Sequence, residues 1–230
     1  MFRLTKFKKV FFIRFLSFAF IQVGFLSILI TFEPVVVEEF RYQLNNLLGT
    51  RHSLPQVVTS ATQNEASLSS GFSDLPSETT DFIKPVSTDF GIVIEKINAN
   101  AKIVEGVDAG NEGEYLAALS KGVAHAKGTV LPGERGNMYL FSHSVNAPWN
   151  IVRFNAVFYL LGKLEKGDRV IIFYQGRRFN YIVFDKTITA PSDTKYLTGT
   201  YDEPVLTLQT CDPPGTLINR LIVRAKLAGV

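Results

Sequence analysis

The sequence predicts an all-β domain, a barrel or sandwich with short helices, carried behind a membrane-spanning helix and a flexible linker. Three observations predict it. An uncharged apolar run near the start is long enough to cross a bilayer. A Ser/Thr/Pro/Gln-rich stretch follows it, and from about Asp89 short apolar or alternating segments recur with Gly and Pro at many junctions.

The apolar run covers Phe15 to Phe32 and extends back to Val10 if Arg14 is allowed near its edge. At ~1.5 Å per residue it matches the ~30 Å hydrocarbon layer. Arg3, Lys6, Lys8, Lys9 and Arg14 precede or enter it, and no acidic residue occurs before Glu33. That asymmetry keeps the basic end cytoplasmic and sends everything after Phe32 outside. The run is too long for a typical signal-peptide core and no small-x-small site follows it, so it reads as an uncleaved anchor. These five basic residues also account for the charge balance: a total of +3 minus 5 leaves about −2 for the rest of the 230-residue chain. The basic pI therefore reports the anchor and not a nucleic-acid surface.

Residues 1–32 thus form a basic tail and anchor, 33–88 a juxtamembrane segment and linker, and 89–230 the β-domain. Val35 to Leu48 has the pattern of a short amphipathic helix, although Pro34 and the valines after it count against one. Thr50 to Thr88 lacks a sustained apolar period and reads as a tether, with His52 a bystander in it. The expected strands are Ile92–Ile97, Lys102–Val107, Met138–Phe141, Arg169–Tyr174, Asn180–Ile188, Val205–Cys211 and Leu221–Leu227. Glu112–Ser120 and Val152–Leu164 are the best helical candidates, the second with Phe154, Val157, Phe158 and Leu161 at near-helical spacing. About 140 residues suffice to bury one core.

Cys211 is the only cysteine, so it cannot form an internal disulfide; it is either a reactive thiol or a small core residue. Alternation puts Leu206 and Leu208 on one face of its strand and Thr207, Gln209 and Cys211 on the other. In the next run Leu221, Val223, Ala225 and Leu227 share a face, and Arg220 lies on the opposite one. The connection from Asp212 to Asn219 is too short for a parallel crossover, so the two strands should pair antiparallel with Cys211 near Arg220. A nucleophile would then adjoin a fixed positive donor. Two histidines, His125 and His143, are candidate partners, and spacing alone does not choose between them.

The pentad Thr207-Leu208-Gln209-Thr210-Cys211, followed by Arg220 on the next strand, resembles the signature of the sortases, membrane-anchored cysteine transpeptidases. Ser120 to Asn137, Met138 to His143 and Phe158 to Val183 are similar, in the same order, to the family's segments around the catalytic histidine and the later hairpin. The resemblance covers roughly residues 90–230. One departure is that Ser142 and Ser144 flank His143, where many members have glycine and arginine.

The resemblance implies a closed β-barrel with Cys211 as nucleophile, Arg220 as donor to substrate and oxyanion, and His143 as acid and base. His125 is then a structural or groove-rim residue. It further implies sorting-motif-bearing surface proteins as substrates and an amine of the cell wall or of a pilin-like protein as acceptor, with no nucleic acid among the partners. No cofactor is implied. Glu105, Asp108, Asn111, Glu112 and Glu114 crowd one loop, but their spacing does not match an EF-hand and reads as a solvated acidic turn. Two other readings compete: a membrane-tethered cysteine hydrolase, which the order of His143 before Cys211 separates from a papain-like arrangement, and a non-catalytic β-domain that binds wall components.

Overall fold

The alternating segments pair into one closed sheet. A computed structural model of the chain describes residues 2–48, 83–144 and 157–229. Among them lie the strands β1 (Phe90–Ile94), β2 (Ala99–Val107), β3 (Val123–Ala126), β4 (Gly136–Phe141), β5 (Arg169–Tyr174), β6 (Arg177–Thr189), β7 (Pro204–Asp212) and β8 (Asn219–Gly229). They close in the order β1-β2-β3-β4-β7-β8-β6-β5, with β5 returning to pair with β1. Closure removes the free edges that a sandwich would leave. Two neighbouring pairs, β2–β3 and β4–β7, are parallel and the others antiparallel.

The inward faces supply the core. Ile92, Ile94, Ile103, Leu140, Ile172 and Leu208 are all essentially inaccessible to solvent. Each such aliphatic side chain contributes about 1.5–3 kcal/mol on burial. A second cluster sits on the outer face of β3 and β4. There Ala124, Ala126, Tyr139 and Phe141 pack with Ala118 and Leu119 of α2 (Glu112–Leu119), and partly buried Tyr196 and Leu197 of α3 (Lys195–Thr198) lie against them. On the far side Val93, Ile171 and Phe173 are covered by Ile83.

The chain is already docked in its approach to β1. Asn100 accepts from the Val86 amide and donates to the Lys84 carbonyl. The β5–β6 hairpin turns on Gln175 and Gly176, both at positive φ, the pattern a tight two-residue turn requires.

Several elements depart from the sequence expectations. The strand expected to reach Ile97 ends at Ile94, and Glu95–Ile97 form a 3-10 turn because Asn98 takes a left-handed conformation and reverses the chain into β2. β3 was not foreseen: it is short and buried along its whole length, so it shows no alternation. Of the expected helix Val152–Leu164, residues 152–156 lie outside the described residues, and the rest is a turn with a 3-10 helix at Leu161–Lys163. Phe158, Leu161 and Leu164 recur every third residue and all point into the core, a repeat that suits 3-10 geometry better than α. At the chain start, α1 (Phe2–Leu48) is one helix through Pro34, so the segment from Val35 is not a separate element. A proline removes one hydrogen bond from a helix interior, and residues 35–48 contain neither glycine nor a second proline to end it. The stretch Lys9–Ser27 is apolar enough to cross a membrane, with mean hydropathy 1.9. Of the tether expected over Thr50–Thr88, residues 50–82, with His52, lie outside the described residues.

Candidate active site

Strands β4, β7 and β8 lie side by side, and their inward residues are Met138 and Leu140, Leu206 and Leu208, and Leu221, Val223 and Ala225. Alternation turns Tyr139 and Phe141, Gln209 and Cys211, and Arg220 and Ile222 to the outside of the barrel. The β7–β8 pair is antiparallel, as the short connection requires, with Cys211 opposite Arg220 and Gln209 opposite Ile222.

His143 comes to the same row through β4. That strand runs parallel to β7, with Phe141 beside Gln209. Two further links extend the pairing: the Ser142 amide donates to the Gln209 carbonyl at 3.2 Å, and the buried Thr210 hydroxyl donates to the Ser142 carbonyl at 3.0 Å. His143 follows Ser142 and Cys211 follows Thr210, so the backbone just beyond β4 runs alongside the end of β7, adjacent strands being spaced ~4.8 Å apart. Just beyond, the buried Ser144 hydroxyl accepts from the Gly215 amide at 3.4 Å, tying the segment after His143 to the β7–β8 connection. Of the two serines that depart from the usual flanks, Ser144 therefore has a structural use, while the Ser142 hydroxyl is buried and has no hydrogen-bond partner among the described residues.

The site is outward-facing but half-buried, and that sets its electrostatics. Burial pushes the Cys211 thiol above its ordinary value, and the positive Arg220 beside it partly offsets the rise. Burial holds His143 below the usual imidazole range. Both shifts favour the neutral forms. Arg220 donates through Nη1 to the carbonyls of Asn219 at 3.2 Å and Leu217 at 3.5 Å. Tyr139, 4% exposed, donates its hydroxyl to Gln209 Oε1. Burial raises its phenol well above the ordinary range, with Arg220 acting in the opposite direction.

His125 lies elsewhere and is satisfied. It is 3% exposed, its Nδ1 accepts from the Gly106 amide at 3.4 Å, and its Nε2 lies 3.1 Å from the Val130 carbonyl and 2.9 Å from Thr129 Oγ1. Its ring packs against Phe90 at 5.8 Å. Burial lowers its pKa, with the Val130 carbonyl opposing. The acidic loop closes on itself: the Asn111 side chain caps α2 at the Glu114 amide, Glu114 accepts from the Asp108 amide, and Asp108 accepts from the Gly110 amide. Among the described residues no group of three or more His, Cys, Asp or Glu is arranged to hold a metal.

Sequence reasoning did not single out Thr210 or Tyr139. Thr210 lies on the inward side of β7 among apolar neighbours, and a buried hydroxyl there signalled a bonded carbonyl nearby. Tyr139 carried no such signal, since an aromatic in an apolar strand reads as core.

Comparison with known proteins agrees with this arrangement. The Sortase domain family matches residues 92–228. Sortase D of Bacillus subtilis (strain 168) is 34% identical over 120 residues, 52% of this chain and 52% of that protein, so the chain spans about half the length of this relative. Among solved structures, a Clostridium perfringens Sortase D5 transpeptidase is 33% identical, with 66% of this chain and 85% of that one covered and a TM-score of 0.51. Sortase C-1 from Actinomyces oris is 28% identical, with 63% and 76% covered and a TM-score of 0.52. Both of these structures are sortases and the family domain takes in the strands bearing Cys211, Arg220 and the approach to His143; the chain belongs to the sortase family.

Proposed function

We propose that the chain is a membrane-anchored cysteine transpeptidase that cuts a sorting motif in surface proteins and passes the acyl part to an amine of the cell wall or of another protein. The observation that carries this reading is the register of β4, β7 and β8, in which Cys211 faces Arg220 and follows the residue bonded to the approach of His143. Residues 1–32 act as tail and anchor, 33–88 as the juxtamembrane segment and tether, and 89–230 as the catalytic domain. The basic start and the apolar Lys9–Ser27 helix support a single-pass protein with its catalytic domain outside the cell.

In the reaction the proton on Cys211 Sγ passes to His143 as the peptide binds, and Sγ attacks the scissile carbonyl carbon. Charge gathers on the carbonyl oxygen, where the Arg220 guanidinium donates. The C–N bond breaks as His143 returns the proton to the leaving amine, and a thioester to Cys211 remains. His143 then takes a proton from the incoming amine, which attacks the thioester; collapse expels the Cys211 thiolate, which recovers that proton. The product carries a new amide bond, or a free carboxylate if water attacks. No step needs a cofactor.

Mass spectrometry of the full-length chain mixed with a peptide library and no amine tests this. A covalent adduct on Cys211, discharged by added amine to a joined product, is expected, and Cys211→Ser should form none. Turnover retained in Cys211→Ser would refute the covalent mechanism; an adduct discharged only by water would leave a hydrolase.

A further inference from the structure

The row one strand-repeat behind Cys211 holds a polar group with a defined orientation. Phe141, Gln209 and Ile222 lie side by side on the outer face of β4, β7 and β8. Phe141 and Ile222 are buried, while Gln209 between them is half-buried. The Gln209 side-chain oxygen is engaged by the Tyr139 hydroxyl, which reaches across from β4 and is itself fixed by burial. An amide whose oxygen is held has its plane set, and its two N–H donors are then the part left to present. Among the described residues no acceptor takes them up.

A hydrogen-bonding amide between two apolar walls is an orienting group of the kind that ligand sites use sparingly. Gln209 stands two residues before Cys211, ~6.6–6.8 Å along a strand. An extended peptide has the same repeat. If its scissile carbonyl sits at Cys211, an acceptor oxygen two residues away along the peptide falls over Gln209.

We infer that Gln209, oriented by Tyr139, is a specificity-determining residue that donates to a peptide oxygen two residues from the scissile carbonyl. The inference rests on the acyl-transfer reading above. The oxygen belongs to a backbone carbonyl or to a hydroxyl or amide side chain, and both share the acceptor chemistry that the N–H groups require. The site selects by rejection as well as attraction, since a peptide lacking that oxygen leaves the amide unpaired against apolar walls.

The test uses the full-length chain in detergent, with the fastest-cut member of a peptide library as parent. One series replaces each backbone carbonyl in turn by a thioamide, a weaker acceptor. A second replaces each oxygen-bearing side chain by an apolar isostere. Wild type should lose roughly 3- to 10-fold in kcat/KM at one position, the scale of one neutral hydrogen bond. Gln209→Met, which keeps the bulk, and Gln209→Glu, which keeps an oxygen for Tyr139 but no donors, should show no loss at that position while still responding elsewhere. Tyr139→Phe, which frees the amide to rotate, should show intermediate discrimination. The responsive series tells backbone from side chain. Equal responses in wild type and both Gln209 variants, or a uniform loss across all peptides, would overturn the inference and leave Gln209 a packing residue. If wild type formed no thioester with any library member, the acyl-transfer reading itself would fail and take this one with it.

Discussion

Replacing Arg220 by lysine separates a directed donor from a nearby positive charge. Arg220 is the cross-strand partner of Cys211, a position where facing side chains start only ~5 Å apart. Its Nη1 is already committed to the Asn219 and Leu217 carbonyls, so the guanidinium is anchored to its own connection. A guanidinium has five N–H donors in a rigid fork, so such an anchor still leaves donors for an oxyanion. A lysine ammonium has one nitrogen, and serving the loop carbonyls takes it from the thioester carbonyl. Arg220→Lys should therefore lower peptide transfer by roughly 10²–10³-fold, the scale of one lost oxyanion donor. Arg220→Ala should fall at least as far. Melting temperatures should barely move, since a partly exposed substitution of this kind stays within about 0.5 kcal/mol. The assay is the single-turnover rate of thioester formation and the steady-state rate of transfer to an amine, beside a thermal melt. Near-normal rates in both variants would reduce Arg220 to a solvated strand residue. Unfolding of both would make its role structural.

Four further outcomes are expected. The kcat/KM profile should be a broad bell: burial moves the acid limb, set by His143, below the usual imidazole value and the alkaline limb, set by Cys211, above the usual thiol value. Because Arg220 lowers the Cys211 pKa, Arg220→Ala should shift the alkaline limb further up while Arg220→Lys keeps it; limbs at the ordinary values in the wild type would refute this assignment. His143→Ala should stay folded and lose nearly all transfer, whereas His125→Ala, which orphans the Gly106 amide and the Val130 carbonyl, should lose about 2–4 kcal/mol in a denaturant titration and show only a partial defect in activity; the reverse pattern would exchange their roles. Thr210→Val leaves the Ser142 carbonyl unpaired and should cost about 1–2 kcal/mol, with a fall in transfer rate exceeding the unfolded fraction because the approach to His143 loosens; unchanged melting would show that this bond contributes nothing. Protease added to intact cells should release the β-domain by cutting within residues 50–82, and full protection while the membrane is sealed would place that domain inside.

Much of the site was legible because its clues are local. Alternation in Val205–Cys211 and in the run from Arg220 assigns the thiol and the guanidinium to outward faces, and an eight-residue connection leaves only an antiparallel pairing, so their meeting follows from the chain itself. The choice of histidine was not local. His125 and His143 both follow short apolar segments and only the family resemblance favoured His143; the structure adds that the approach to His143 lies on β4 beside β7, strands about 70 residues apart, while His125 sits on β3 inside the second parallel pair. Sequence periodicity encodes which way a side chain faces but not which distant strand lies next to it. The Tyr139–Gln209 pair, the Thr210–Ser142 bond and the tie from Ser144 to Gly215 are of the same kind.

The sequence by itself determined the apolar span with its charge asymmetry, the β-rich character of the region after Asp89, and the shared face of Cys211 and Arg220, because each depends on hydropathy period or on the length of a short connection. Only the tertiary structure decided that the sheet closes, that β3 exists, and that the residues from Phe158 to Leu164 serve the core as turns. It also decided that the site is sunk far enough to push the thiol above and the imidazole below their ordinary values. Closure, parallel register and burial are properties of strands brought together across the chain, and they exist only once the barrel has formed.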